Sequence, residues 1–192
     1  CRIIEKELGK PIECIFDNFE IYPFAAASLC QVHKARLAGE KTEVAVKVMR
    51  PGTREIFALD MKLMRSLIKK LSRFKAFSFL KLDQAMWELD QTRIEETDFR
   101  YELANTKQMR TSLKKHRRVY VPKPFSDYCT KSVFVSEFVE GVLMAKYIAR
   151  AVKDPEAVTS WEKQNDIVPD ILGEAFSMCA LRQLFRHSDY CW

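Results

Sequence analysis

The stretch AAASLCQVHKA at residues 25–35 is followed nine residues later by VAVKV at residues 44–48. The first stretch leads from a loop of small residues into a strand, and the second alternates as a half-buried strand does. Because side chains alternate across a strand, Ala45 and Lys47 share one face and the valines share the other. Lys47 is therefore either solvated on an outer face or directed into a cleft, where it would contact phosphate oxygens beside a carboxylate.

The remaining periodicity predicts an α+β chain with the order strand, strand, helices, strand, strand, helices, and not alternating βαβ units. The helical pattern near the middle is longer than most globular helices, so it is either one long helix or two helices with a break. A loop is predicted around Pro155. The predicted strands cover residues 19–37, 43–49, 119–124 and 133–139, and the predicted helices cover residues 2–9, 54–74, 83–116, 142–152 and 167–186.

Composition bounds the class of protein. The chain has 192 residues, of which 47% are hydrophobic and 30% charged, which suits a folded domain and argues against disorder. The six cysteines form no CxxC pair and only three histidines accompany them, so no metal site is predicted. Reduced thiols in a reducing compartment are expected. No run of about 18 apolar residues predicts a membrane span.

Charged residues cluster at two places. In the segment EETDFRYE at 95–102, Asp98 and Glu102 share a helical face, which is either a solvated acidic face or a source of carboxylates for Lys47. Six cations and no acid fall within residues 107–118. This run is typical of a solvated helix end, and the alternatives are a membrane patch or a nucleic-acid patch. No aromatic residues interleave it, so base stacking is not indicated.

Taken in order, six motifs resemble the UbiB (AarF-like) family of atypical protein-kinase-like proteins. The resemblance implies a kinase-like small lobe over residues 1–141, with an antiparallel sheet and a family-specific helical insertion. It also implies the first helices of an incomplete large lobe over residues 142–192. The motifs are the alanine loop at 25–28, QVHKA at 31–35, VAVKVMRPG at 44–52, E-x-D-F-x-x-E-x-x-N at 96–105, VPKP at 121–124 and VSEFVEG at 135–141.

The same resemblance implies an ATP or ADP site. Its alanine-rich loop, which replaces the usual glycine-rich loop, corresponds to Ala25, Ala26, Ala27 and Ser28. Lys47 corresponds to the lysine that contacts the nucleotide phosphates. Glu96 and Asp98 match the E-x-D motif, Glu102 matches the usual helix glutamate, Glu137 to Val139 match the segment that binds adenine, and Ser136 takes the gatekeeper position. Because residues six apart differ by about 240° on one helix, either Glu96 or Glu102 would pair with Lys47, unless the helix breaks.

Three departures from the family pattern affect the expected activity. Cys30 and Met49 stand where glycine and glutamine are common, and the amino-terminal K-x-G-Q segment is not found. Near the carboxyl end, His187-Ser188-Asp189 makes Asp189 the candidate catalytic aspartate, but no His-Pro-x-Asn follows it. Mg²⁺, which the family is expected to use, would lack its usual asparagine and DFG-type aspartate ligands. We therefore expect a chain truncated before or within the catalytic loop.

The sequence leaves two main functions open. One is the nucleotide-binding part of a UbiB-type kinase or ATPase, whose full-length relatives are linked to ubiquinone or isoprenoid-lipid metabolism and to peripheral membrane contact. The other is a non-catalytic nucleotide-binding or scaffold module. Nucleic-acid binding rests only on the net charge of +6 and the basic run, and it is not expected. The substrate, the compartment and the oligomeric state are not indicated.

Overall fold

The structure is a computed structural model that describes residues 1–71 and 82–187. Its strands form one antiparallel sheet in the order β1-β3-β4-β5, and the short β2 also pairs with β3. The α+β class and the antiparallel sheet predicted from the sequence are confirmed. The strands are β1 (Phe16–Phe19), β2 (Ala25–Ala26), β3 (Cys30–Leu37), β4 (Glu43–Met49) and β5 (Val133–Glu137).

Seven α-helices lie within the described residues, together with two short 3₁₀ helices at Ile12–Cys14 and Ser126–Tyr128. None of these helices combines the length and the apolar character needed to cross a membrane. The helices are α1 (Arg2–Leu8), α2 (Thr53–Leu71), α3 (Leu82–Glu96), α4 (Phe99–Leu113), α5 (Met144–Lys153), α6 (Pro155–Gln164) and α7 (Pro169–His187).

The chain divides into two compact units. The first contains residues 1–112 and 121–138, and it therefore holds the whole sheet with α1 to α3 and nearly all of α4. The second contains residues 113–120 and the chain from Val139 onward, which includes α5 to α7. Within the second unit, α5 packs beside α6, where the rings of Tyr147 and Trp161 are 6.2 Å apart.

The hydrophobic core of the first unit lies on one face of the sheet. Alternation along β4 directs Val44 and Val46 to this face, and both are fully buried. Ile4 of α1 is also fully buried in the same cluster, so the amphipathic α1 covers the sheet. The other members of the cluster are Ile15, Phe16, Ala35, Leu37, Val133 and Val135.

The opposite face of the sheet carries Lys47 and a second, smaller cluster. Cys30, Met49 and Phe134 are buried there against Phe99, the first residue of α4. Cys30 and Met49, which depart from the family pattern, therefore serve in packing. They pair with each other across β3 and β4. This cluster places the start of α4 on the sheet face that holds Lys47.

Three element predictions were wrong in part. Residues 19–37 do not form continuous strands: β1 begins at Phe16, and the chain leaves the sheet around Pro23 before β2. Residues 119–124 contain only an isolated bridge from Pro124 to Ser136, because Pro122 and Pro124 have no N–H to donate to a ladder. The loop predicted around Pro155 is instead the start of α6.

Asp154 explains why a helix begins at Pro155. Its carboxylate accepts a hydrogen bond from the N–H of Ala157 at 3.2 Å, as an N-cap residue does. Proline is favoured at the first position of a helix because its missing N–H has no partner there in any case. The proline therefore marks a helix start and not the predicted loop.

Candidate functional site

Lys47 on β4 forms an ion pair with Glu102 on α4. Its Nζ lies 2.8 Å from Oε2 and 3.0 Å from Oε1 of Glu102. Both side chains are partly exposed, at 29% for Lys47 and 36% for Glu102, so the pair lies at a surface that a ligand can reach. The structure thus confirms the predicted ion pair between Lys47 and a helix carboxylate. Glu102, and not Glu96, is the partner.

A break between α3 and α4 sets the direction of Glu102. The break falls at Thr97 and Asp98, which resolves the choice between one long helix and two. The Asp98 carboxylate accepts a hydrogen bond from the N–H of Arg100 at 3.0 Å and forms an ion pair with its guanidinium at 2.6 Å. Because Asp98 begins a new helix, the angular relation between Glu96 and Glu102 is no longer that of one continuous helix.

Asp98 gives this helix start a pH dependence. The hydrogen bonds and charge of Arg100 outweigh burial and hold the pKa of Asp98 below its ordinary value of 3.8. A carboxyl group with a lowered folded-state pKa stabilises the fold fully above that ordinary value, and the stabilisation is lost as pH falls through the folded pKa. We expect Asp98→Asn to reduce the free energy of unfolding at pH 7 and to flatten its fall below about pH 4. Urea unfolding of both proteins between pH 2 and 7 tests this, and parallel curves would contradict it.

A cavity of about 580 Å³ opens beside the ion pair. The turn between β2 and β3 forms one wall, where Ala27 and Ser28 lie. Its backbone is closed by the hydrogen bond from Ala27 N–H to Cys30 C=O at 2.9 Å. The other lining residues are Leu29, Cys30, Lys47, Glu95, Glu96, Phe99, Tyr101, Glu102, Asn105, Thr106 and Met109.

The backbone of the turn explains why alanine can stand where phosphate-binding loops usually have glycine. Among the described non-glycine residues only Asp166 has a positive φ, so no position from Ala25 to Ser28 requires the left-handed conformation. The carbonyl of Ala27 also accepts from Nε and Nη2 of Arg50, each at 3.3 Å. The turn is therefore held by Arg50, the first residue after β4.

The structure brings together some of the predicted site residues and separates others. Ala27, Ser28, Lys47, Glu96 and Glu102 line the cavity. The other predicted residues do not line the cavity. Ala25 and Ala26 pair with Val32 and Gln31 in the sheet, and Asp98 is buried directly before the first residue of α4. The carboxylate of Glu137 accepts a hydrogen bond from the N–H of Lys123, Val139 belongs to the second unit, and Asp189 lies outside the described residues.

Several cavity residues were missed by the sequence prediction. Asn105, Thr106 and Met109 follow Glu102 at three, four and seven residues, which is the spacing of one helical face. This spacing could have identified them once Glu102 was taken as a site residue. Tyr101 had no such signal, since it neighbours Glu102 in sequence and is 46% exposed.

No group of three histidine, cysteine, aspartate or glutamate residues that could hold a metal ion is found within residues 1–71 and 82–187. The thiol beside Lys47 is also poorly suited to bind a cation, because burial raises the pKa of Cys30. We assign no chemical step that depends on a bound metal ion.

A sequence model of the ABC1 atypical kinase-like domain matches residues 1–191. The chain belongs to this family. The curated relatives agree with the UbiB resemblance. A probable protein kinase UbiB from Vibrio cholerae serotype O1 is 38% identical over 145 residues, which cover 73% of this chain and 26% of the relative. The corresponding protein of Tolumonas auensis is 32% identical over 186 residues, or 97% of this chain and 33% of the relative.

A solved structure supports the kinase-like fold of this ABC1 chain. The complex of Rv3197 with erythromycin from Mycobacterium tuberculosis is similar, with a TM-score of 0.69 and 31% sequence identity. The similarity covers 77% of this chain and 37% of that chain. The ABC1 chain thus spans about a third or less of the length of these curated relatives and slightly more of this solved chain.

Proposed function

We propose that the cavity beside Lys47 binds the phosphate groups of ATP or ADP. The observation that supports this most directly is the ion pair of Lys47 with Glu102, which lines the same cavity as the β2–β3 turn. A lysine amine is a compact point charge with three donors, which suits it to phosphate oxygens. The ABC1 kinase-like family assignment supports the same ligand class.

Four cavity residues then have a definite role in binding. Lys47 would donate to phosphate oxygens, and Glu102 would hold the amine in the position from which it donates. Ser28 and Leu29, at the centre of the turn, would donate through their backbone N–H groups and the Ser28 hydroxyl. Because alanine and serine carry a Cβ atom, which glycine lacks, this wall is stiffer than a glycine loop and approaches the phosphates less freely.

For the whole protein we propose an atypical kinase or ATPase that serves ubiquinone or another isoprenoid lipid and contacts a membrane surface. The support is the family and the UbiB name of the relatives. Phosphoryl transfer needs positioned metal ions and an aspartate that orients the nucleophile. From these 192 residues alone we therefore expect nucleotide binding with little or no turnover.

Calorimetric titration of the chain with ATP, ADP, AMP and adenosine tests the binding proposal. ATP and ADP should bind more tightly than AMP, and adenosine most weakly, because Lys47 and the turn contact the phosphate chain. Equal affinities for ADP and adenosine would contradict a phosphate site. The scaffold alternative predicts no saturable heat with any of the four ligands.

The carboxylate of Glu102 can be tested separately. Glu102→Gln keeps the size of the side chain and one acceptor but removes the charge that holds the Lys47 amine. We expect the affinity for ADP to fall by about tenfold or less, since ion pairs of partly exposed groups contribute about 1 kcal/mol or less. Glu95→Gln, which changes another cavity carboxylate without an ion pair to Lys47, is the matched control. Equal losses in both variants would show that only the charge of the cavity matters.

A further inference from the structure

One arginine outside the cavity links the segment that sets the direction of Glu102 to the turn before β5 through three hydrogen bonds. Arg54, the second residue of α2, donates from Nε to the carbonyl of Thr97 at 2.9 Å. Its Nη1 donates to the hydroxyl of Ser132 at 3.1 Å, and its Nη2 donates to the carbonyl of Lys131 at 2.9 Å. A planar guanidinium can satisfy three acceptors in this way, and a lysine amine cannot match that fork geometry.

Thr97 directly follows the last residue of α3, where the chain turns into α4. Carbonyl groups at the end of a helix lack partners within the helix, and a cation beside them interacts favourably with the helix dipole. Arg54 supplies both the hydrogen bond and the positive charge at this place. Five residues after Thr97, α4 presents Glu102 to Lys47. A shift of the break would therefore shift the carboxylate.

The second side of the attachment is the turn before β5. Lys131 C=O accepts from Arg54 and also from the N–H of Phe99, at 3.1 Å, so the first residue of α4 is attached to the same carbonyl. Phe99 is 4% exposed and packs on the sheet beside Cys30. Arg54 and the buried ring thus fix the first turn of α4 from two directions.

Glu7 of α1 completes the cluster. The hydroxyl of Ser132 donates to Oε1 of Glu7 at 2.8 Å, which leaves the hydroxyl oxygen to accept from Arg54. Burial raises the pKa of Glu7, but hydrogen bonds from Thr130 and Ser132 and the charge of Arg54 together lower it below its usual value. Glu7 is therefore a carboxylate at neutral pH and can serve as the acceptor that orients Ser132.

We propose that Arg54 is a positioning residue that holds the α3–α4 break in the place where Glu102 reaches Lys47. Arg54 does not line the cavity and would not touch the nucleotide; it acts through Glu102. This inference rests on the proposed function of the Lys47 cavity. It makes the ion pair between Lys47 and Glu102 depend on a residue at the start of α2, about 40 residues before the break in sequence.

The test uses Arg54→Gln, with Arg65→Gln as the matched control. Arg65 also lies on α2 and forms an ion pair with Asp90 of α3, but not with the break or with β5. In chain labelled with ¹³Cε and ¹⁵Nζ lysine, the Lys47 signal reports its ion pair without any nucleotide. Arg54→Gln should move this signal toward its position in Glu102→Gln, and Arg65→Gln should leave it in place. An unmoved signal in folded Arg54→Gln would overturn the proposal, as would an equal movement in Arg65→Gln.

ADP affinity gives the second readout. Arg54→Gln should weaken binding by about fivefold to tenfold, and adding Glu102→Gln should weaken it no further, because both changes act on the same ion pair. Additive losses would overturn the positioning role. If Arg54→Gln does not fold, Arg54→Lys, which keeps the charge but not the fork, replaces it under the same criteria. If Lys47→Ala leaves ADP affinity unchanged while the lysine signals behave as expected, the nucleotide site fails and the positioning of Glu102 stands.

Discussion

Replacing Lys47 by alanine is expected to lower the affinity for ATP and ADP by about 10-fold to 150-fold. Hydrogen bonds that involve a charged group contribute about 1.5–3 kcal/mol, and each 1.4 kcal/mol corresponds to a factor of ten. Lys47 is the cavity residue whose amine forms an ion pair with Glu102, so its loss also leaves that carboxylate without its partner. The remaining negative charge would oppose the phosphates. Calorimetric titration with each nucleotide measures the loss.

Lys41→Ala is the matched control, because it removes the same charge from an exposed position on the β3–β4 connection. It should leave both affinities within a factor of two, a change of less than about 0.5 kcal/mol. Lys47→Arg should recover part of the loss, since a guanidinium also binds phosphate oxygens. Equal affinity losses in Lys41→Ala and Lys47→Ala would mean that nucleotide responds only to the net charge of the chain. The cavity would then have no special role.

The substitution Ile4→Ala is expected to reduce the free energy of unfolding by about 2–5 kcal/mol. Ile4 of α1 is fully buried against the sheet and belongs to the hydrophobic cluster that contains the central valines. Removal of its outer carbons loses apolar burial and leaves a cavity that neighbouring side chains fill only in part. Urea unfolding followed by intrinsic protein fluorescence measures this change in the free energy of unfolding.

Ile56→Ala on α2 is the comparison, because Ile56 is also helical but 59% exposed. Both substitutions gain the same helix propensity, so the difference between them isolates burial. The Ile56 variant should stay within about 0.5 kcal/mol of the unchanged chain, as surface substitutions usually do. A small effect at both positions would contradict the packing of α1 on the sheet. It would place the centre of the core elsewhere.

The parts of the fold that sequence predicted well are those in which local pattern and tertiary packing agree. The VAVKV strand alternates strictly, and in the structure its valines face the core while Lys47 faces the cavity. The α2 pattern predicted a helix, and the helix is present at Thr53–Leu71. The strand predicted at 119–124 is not formed beyond one isolated bridge, because two prolines in this stretch cannot donate to a ladder.

The candidate site was predictable only in its types of residue. Sequence identified Lys47 and a short set of carboxylates, but the choice of Glu102 over Glu96 depends on the break at Thr97 and Asp98. The E-x-D motif predicts Asp98 as a site residue, whereas in the structure its carboxylate caps the start of α4. Arg54 gave no local signal at all, since its three acceptors lie 43 to 78 residues away in sequence. Such contacts exist only after the sheet and helices have assembled.

Labelling with an ATP analogue that carries an acyl group on its terminal phosphate tests the central claim most directly. The amine of a lysine held against the phosphates attacks the acyl carbon and releases ATP, and mass spectrometry of peptides then locates the acylated lysine. We expect Lys47 to be acylated fastest, the labelling to be suppressed by excess ADP, and adenosine to suppress it far less. Labelling of Lys47 no faster than that of exposed Lys41, or labelling that ADP does not suppress, would contradict a nucleotide phosphate site at Lys47.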